Sequence, residues 1–274
     1  MKLFRNYAVV VLLLINSAFG WGDKGHKLIA ISAMKYLPAE MHIPTSWNAD
    51  IEEHSVDADT RKGDVKAEGP RHFIDIDYYS EYSDGKKILS RDELAAKYGK
   101  EMVEKQGVLP WATVEVFDNL VESFKSGDNT KIKYYMSDLA HYVADAHQPM
   151  HTILNYNGQL TGQKGVHARY EIFMVDSNYS FIESNIRKSN VGPIHDIQSC
   201  IFDVIRESNT YQTVLMSADK LSSDKTKGVF NQEYYKLMWF YTEFVTMDRL
   251  DKAASRLANI YYLAWEKAGK PTIK

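Results

Sequence analysis

Apolar residues recur every three or four positions along most of this chain. Leu28, Ile29, Ala33 and Leu37 mark one face, stopped at Pro38. Ser90 followed by Glu93 has the form of a capping box and predicts a helix to about Gln106. Pro110 opens another, with Trp111, Val114, Phe117, Val121 and Phe124 at helical spacing. Gly127-Asp128 ends that helix and caps the next, whose stripe is Ile132, Tyr135, Met136, Leu139, Tyr142 and Val143. Ile197, Ile201, Val204 and Ile205 form a stripe beyond Pro193, and Tyr234 to Val245 and Leu250 to Trp265 predict two further helices. Alternation with a period of two is confined to short pieces such as Phe73-Ile74-Asp75-Ile76. Loops are expected around 43–70 and 153–166, the second carrying Gly158, Gly162 and Gly165. With no repeat or linker, the pattern predicts one all-α domain over 21–274.

The first 20 residues are of another kind. Lys2 and Arg5 precede an unbroken apolar run from Ala8 to Ile15, and Ala18 and Gly20 stand at the minus-three and minus-one positions of a cleavage site. The run is far shorter than the roughly 20 apolar residues of a spanning helix. Residues 1–20 therefore read as a signal peptide, the protein as secreted or periplasmic with no transmembrane segment after cleavage, and Trp21 as the first mature residue.

Composition narrows the chemistry. Cleavage leaves 254 residues (274 less 20), enough for a full core, and removes Lys2 and Arg5, taking the formal charge from −3 to −5. No basic surface for strong phosphate-backbone binding is implied. Cys200 stands alone, so no intrachain disulfide forms, and a transition metal would have to be held by nitrogen and oxygen from the nine histidines and the carboxylates. That donor set suits zinc.

Candidate ligands come at telling spacings. In HYVADAHQPMH, His141 and Asp145 are four apart and share one side of a helix, and His151 follows Pro149. GVHARYE repeats the device with His167 and Glu171. Facing helices of a bundle bring such pairs to one point. His147 falls on another face of its helix, Asp64 lies in a turn, and His42, His54 and His195 have no partner in the pattern; none is taken as a ligand.

Trp21-x4-His26, an aspartate in SVDADTR, His72 in RHFIDID, His141-x3-Asp145-x5-His151 and His167-x3-Glu171, in this order, resemble the superfamily that joins zinc-dependent phospholipase C with the trinuclear-zinc, single-strand-specific nucleases. The resemblance runs from Trp21 to about Glu171 and is most specific in LAHYVADAHQPMH. It implies an all-α fold with three zinc ions (Zn2+) in a cleft. One ion would sit on Asp57, His72, His141 and Asp145, and a second on His151, His167 and Glu171. The third would use His26, Asp145 as a bridge, and the free α-amine and carbonyl of Trp21. SVDADTR offers both Asp57 and Asp59; the resemblance favours Asp57 through its spacing to His72. Asp57 and Asp145 are the expected catalytic carboxylates, Asp57 as proton acceptor for the attacking water.

The implied reaction is hydrolysis of a phosphodiester, with phospholipid or single-stranded nucleic acid as substrate and no obligate protein partner evident. Glu171, where the nucleases carry Asp, and the absence of their Gly-Gly-Asn loop from NYNGQLTGQKGVH make a phospholipase C-like enzyme the leading expectation, with the nuclease as its alternative. The short spacing from Trp21 to His26 favours a nuclease (endonuclease). Lys24 and Gly69 stand where choline-specific phospholipases have an acid and an aromatic residue. An inactive protein with structural zinc is the remaining alternative.

Overall fold

A computed structural model describes residues 21–83 and 90–273; the predicted signal peptide lies outside them. The described residues form helices joined by turns, with no strand among them. In chain order the helices are α1 (Gly22–Tyr36), α2 (Trp47–His54), α3 (Asp57–Arg61), α4 (Ser80–Ser83), α5 (Arg91–Tyr98), α6 (Lys100–Lys105), α7 (Leu109–Ser126), α8 (Asn129–His147), α9 (Val166–Ala168), α10 (Val175–Ser177), α11 (Tyr179–Asn185), α12 (Ile197–Asn209), α13 (Gln212–Lys225) and α14 (Gln232–Lys267). The family-independent expectation of an all-α fold holds.

Helix α8 is the axis of the molecule. Every residue from Met136 to His147 is buried, and α7, α14, α2, α1 and α12 pack around it. A helix covered on all sides cannot keep a polar face for solvent. Asp138, His141, Asp145 and His147 are therefore buried as well, and each must find a partner inside the protein. Ala140, Ala144 and Ala146 let neighbouring elements approach closely between them.

Several boundaries differ from the sequence pattern, each for a local reason. Ser90 does make the capping box, its hydroxyl accepting from the Glu93 N–H, but the helix breaks at Gly99, whose φ of +88° suits glycine. Residues 43–70 are not a loop throughout: Trp47 and Ile51, four apart, bury the inner side of α2. The two helices expected beyond Tyr234 are one, 36 residues long. Its polar stretch around Asp248-Arg249 continues because buried Arg249 pairs with Glu207 of α12 at 2.6 Å and with Asp248.

Phe73-Ile74-Asp75-Ile76 is extended at Phe73 but joins no sheet. It runs between two turns: Val108 N–H donates to Pro70 O, Leu109 N–H to Phe73 O, Asp75 N–H to Gln106 O, and Ile74 N–H to His151 O. This bracket fixes His72, at the end of a short 3-10 turn, against the turn carrying His151.

Trp21 is fully buried, and its indole N–H donates to Ala144 O of α8 at 3.0 Å. Gly25 makes room for it. A Cβ at position 25 would stand 2.6 Å from Trp21 Cβ. Alanine is better than glycine in a helix by about 1 kcal/mol, yet Gly25→Ala is expected to destabilise the protein by about 1–3 kcal/mol through overpacking. Urea unfolding measures this as a lower midpoint at unchanged slope; a midpoint equal to wild type or higher would show that Trp21 is not held in this position.

Candidate metal centre

Eight buried side chains, supplied by seven segments, face one another in the interior. His26 comes from α1, Asp59 from α3, His72 from the 3-10 turn 69–72, and His141 and Asp145 from α8. His151 follows Pro149 in a second 3-10 turn, His167 lies in α9, and Glu171 in the π-helix Arg169–Met174 that continues it. Four-residue spacing puts His141 beside Asp145 and His167 beside Glu171, with Nε2 to carboxylate distances of 3.3 and 2.8 Å.

Their atoms form three groups able to hold a metal ion: Asp59, His72 and His141; His26, His141 and Asp145; and His151, His167 and Glu171. In the first, His72 Nδ1 lies 2.9 Å from His141 Nε2, 3.0 Å from Asp145 Oδ2 and 3.5 Å from Asp59 Oδ1. His141 Nε2 lies 3.3 Å from Asp145 Oδ2 and 3.5 Å from Asp59 Oδ1. Ligand atoms about 2.05 Å from a tetrahedral zinc are about 3.3 Å from each other. Five edges of such a tetrahedron are therefore present. Asp145 turns its second oxygen, Oδ1, toward His26 Nε2 at 3.5 Å, so one carboxylate faces two groups. In the third group the edges are 3.1, 2.8 and 3.5 Å.

The surroundings also fit a cation. Neither ring nitrogen of the fully buried His26 has a hydrogen-bond partner, nor does Asp145 Oδ1. Polar atoms buried without partners cost roughly 1–3 kcal/mol each, and an ion between them removes that cost. Two other imidazoles are aimed by carbonyls, which can only accept: His141 Nδ1–H donates to Ser55 O at 2.8 Å, and His151 Nδ1–H to His72 O at 2.6 Å. Both keep Nε2 for a metal. Gln148 donates to Glu171 Oε2 at 2.7 Å and accepts from Met150 N–H, tying Glu171 to the His151 turn.

Proton affinities at the centre follow burial and neighbouring charge. Burial, aided by His141, pushes His26 down to about 3. Burial, with a smaller contribution from the charge of Asp59, raises Glu171 to about 8 against the opposing contacts of His151 and Gln148. Burial would also raise Asp145, but His141 and His151 outweigh it and hold the carboxyl well below its usual range. Protons here do the work of counter-charges.

Asp57 is not among these residues. Its side chain is 48% exposed, and its carboxylate lies 2.8 Å from Nδ1 of His54, which is more exposed still. Two positions apart on α3, Asp57 and Asp59 face different sides; Asp59 is the one turned inward beside His72 and His141, and Asp57, expected as the ligand, does not join the group. Lys62, one turn on, pairs with Asp59 and brings an ammonium to the group. The Asp-x-x-Lys spacing was the available signal for it. Tyr156 is half-exposed and turns its ring edge-on to His167, with centroids 5.7 Å apart. His42, Asp64 and His195 are exposed.

The family model described as S1/P1 Nuclease matches residues 21–168, more than half of the chain, and the chain belongs to that family. Family membership makes its chemistry zinc-dependent hydrolysis of phosphodiesters. The match ends just before Glu171, where the chain departs from the nuclease pattern. No curated protein matches the chain. No helix of the described residues is long and apolar enough to cross a membrane.

His147 is no ligand but is not idle. Its Nδ1–H donates to Val143 O at 2.7 Å, and its Nε2 lies 3.0 Å from Arg256 Nη1, which donates to it. Burial, with Arg256 and Arg249 nearby, holds its pKa well below the usual value and the ring neutral. Below about pH 6.5 the unfolded chain takes up a proton here that the folded protein refuses, so stability falls with pH. Between pH 6 and 5, wild type should lose about 1 kcal/mol more than His147→Gln, measured by urea unfolding of both proteins. Parallel pH dependences would contradict the neutral, buried assignment.

Proposed function

We propose that the mature chain begins at Trp21 and is an exported three-zinc phosphodiesterase acting on single-stranded nucleic acid. The tetrahedral set of Asp59, His72, His141 and Asp145, with Asp145 turned also toward His26, is the observation that carries the catalytic part of this reading. Asp59, His72, His141 and Asp145 would hold one ion; His151, His167 and Glu171 a second; His26, Asp145 and the α-amine and carbonyl of Trp21 the third. When bound, zinc supplies Lewis acidity, neutralising charge on the phosphate and making water acidic enough to attack near neutral pH.

The chain's own residues have separate tasks. Asp145 bridges two positions and fixes their separation. Asp59 accepts a proton from the attacking water, and Lys62 beside it balances charge gathering on a non-bridging phosphate oxygen. The match to the S1/P1 nuclease family favours nucleic acid, and Tyr156 offers a planar face beside His167 on which a base stacks. Phospholipid is the second reading, favoured by Glu171 and by the loop NYNGQLTGQKGVH without a Gly-Gly-Asn sequence.

Purified mature protein with zinc is expected to cleave single-stranded DNA faster than phospholipid vesicles in parallel assays, and chelation should abolish the activity. Asp59→Asn should lower turnover by at least about 100-fold, while Asp57→Asn should leave it within a few fold. Preferential lipid cleavage would move the substrate to phospholipid; loss with Asp57→Asn but not Asp59→Asn would restore the spacing-based assignment.

The N-terminus provides an independent test. An amide nitrogen is a very poor zinc ligand, so one extra residue ahead of Trp21 removes a donor from the third ion. The extended protein should keep its helical circular dichroism, bind about two ions in place of three, and lose most of its turnover. Full activity and zinc content in a form whose extension is verified by mass spectrometry would exclude the amine as a ligand.

A further inference from the structure

His72 differs from its neighbours in which nitrogen it turns to the centre. His141 and His151 give Nδ1–H to backbone carbonyls and offer Nε2, whereas His72 offers Nδ1, the atom 2.9 Å from His141 Nε2 and 3.0 Å from Asp145 Oδ2. Its Nε2 points outward and lies 3.3 Å from Glu68 Oε1. Glu68 is itself buried, 6% exposed. The Tyr142 hydroxyl donates to Glu68 Oε1, and the ring of the same tyrosine meets His72 edge-on at 5.5 Å. Arg61 Nε lies 3.5 Å from Glu68 Oε2 while both its terminal nitrogens donate to Asp138 at 2.9 Å.

We propose that Glu68 is a positioning residue for the metal centre: it holds His72 with Nδ1 inward and strengthens it as a ligand. A carboxylate facing the outer nitrogen at ion-pair distance, here without a formed hydrogen bond, raises by its charge the electron density an imidazole offers to a metal, and loss of such a partner weakens binding about 10- to 100-fold. Among the described residues His72 is the one histidine of the centre whose outer nitrogen lies within ion-pair distance of a carboxylate that is not itself a proposed ligand. The arrangement rests on the zinc reading given above. It adds that the Asp59–His72–His141–Asp145 ion depends on a residue that touches neither metal nor substrate. Tyr142 and Arg61 hold the carboxylate at the required place, and four-residue spacing from Glu68 to His72 sets its reach.

Glu68→Gln keeps the size of the side chain and an acceptor oxygen but removes the charge. Zinc titration against a competing chelator should give about three ions for wild type. In the variant one ion should bind about 10- to 100-fold more weakly with the others unchanged, and the absorption of cobalt-substituted protein should shift for that ion. Asp138→Asn, which loosens only the far side of Arg61, should bind zinc as wild type does. Tyr142→Phe, which keeps every charge, should weaken the same ion a few fold, and serves if Glu68→Gln does not fold. Wild-type affinity for all ions in Glu68→Gln would overturn the proposal, as would equal losses in Glu68→Gln and Asp138→Asn, which would reduce Glu68 to a packing partner of Arg61. If Glu68→Gln does not fold, wild-type affinity in Tyr142→Phe overturns it. Wild-type protein that binds no zinc would instead overturn the metal reading and this inference with it.

Discussion

The fold is organised around a carboxylate that has no access to water. Asp145 is completely buried on the central helix, and its two oxygens face different histidines. An isolated carboxylate in such a place would take up a proton rather than keep its charge. It keeps the charge because imidazoles from α1, α8 and two turns converge on it. Those segments are far apart in sequence, so the requirement to surround Asp145 fixes where α1 crosses α8 and where the 69–76 and 149–152 segments lie. The apolar core closes over a constraint set by charge.

How much of this is legible in the sequence depends on the range of the interaction. His141 with Asp145 and His167 with Glu171 are readable because four-residue spacing on a helix fixes a shared side whatever the tertiary structure. The long amphipathic stripes are readable for the same reason. The choice between Asp57 and Asp59 is not, because both lie at acceptable distances from His72 along the chain. The fold separates the two by which side of α3 faces α8: His54 pairs with Asp57 outside, and Lys62 with Asp59 inside. The continuous α14 escaped pattern reading for a similar reason. Its polar middle resembles a break until Glu207, from α12, arrives to satisfy Arg249 and Lys252.

Outer partners matter as much as the ligands, and sequence conceals them more completely. Ser55 and His72 act through backbone carbonyls, which carry no residue-type signal at all. Gln148 and Glu68 are ordinary polar residues until the fold turns them toward Glu171 and His72. The same holds for His147, whose buried neutral ring accepts from Arg256 and pins the end of α8 to α14. One helix thus presents ligands to one side and a cationic network to the other.

The segment between His151 and Glu171 is held with comparable care. Arg169, between His167 and Glu171 in sequence, points away from them and donates to the carbonyls of Gln163 and Lys164 and to Asp219 of α13. Gln163 in turn donates to Asp219 and to Met216 O, and Phe230 covers the guanidinium at 4.1 Å. Within the loop, Asn155 accepts from Leu160 N–H and Asn157 from Gly165 N–H. Gly158 has to be glycine, since its φ is +69° and a Cβ would stand 2.5 Å from Gln163 O. The loop is thus tied by its own hydrogen bonds, and it places Tyr156 beside His167. If the centre holds the ions proposed above, the space between Tyr156 and those residues sets what can reach them, and a change in this loop alters that space without touching the charges around Asp145.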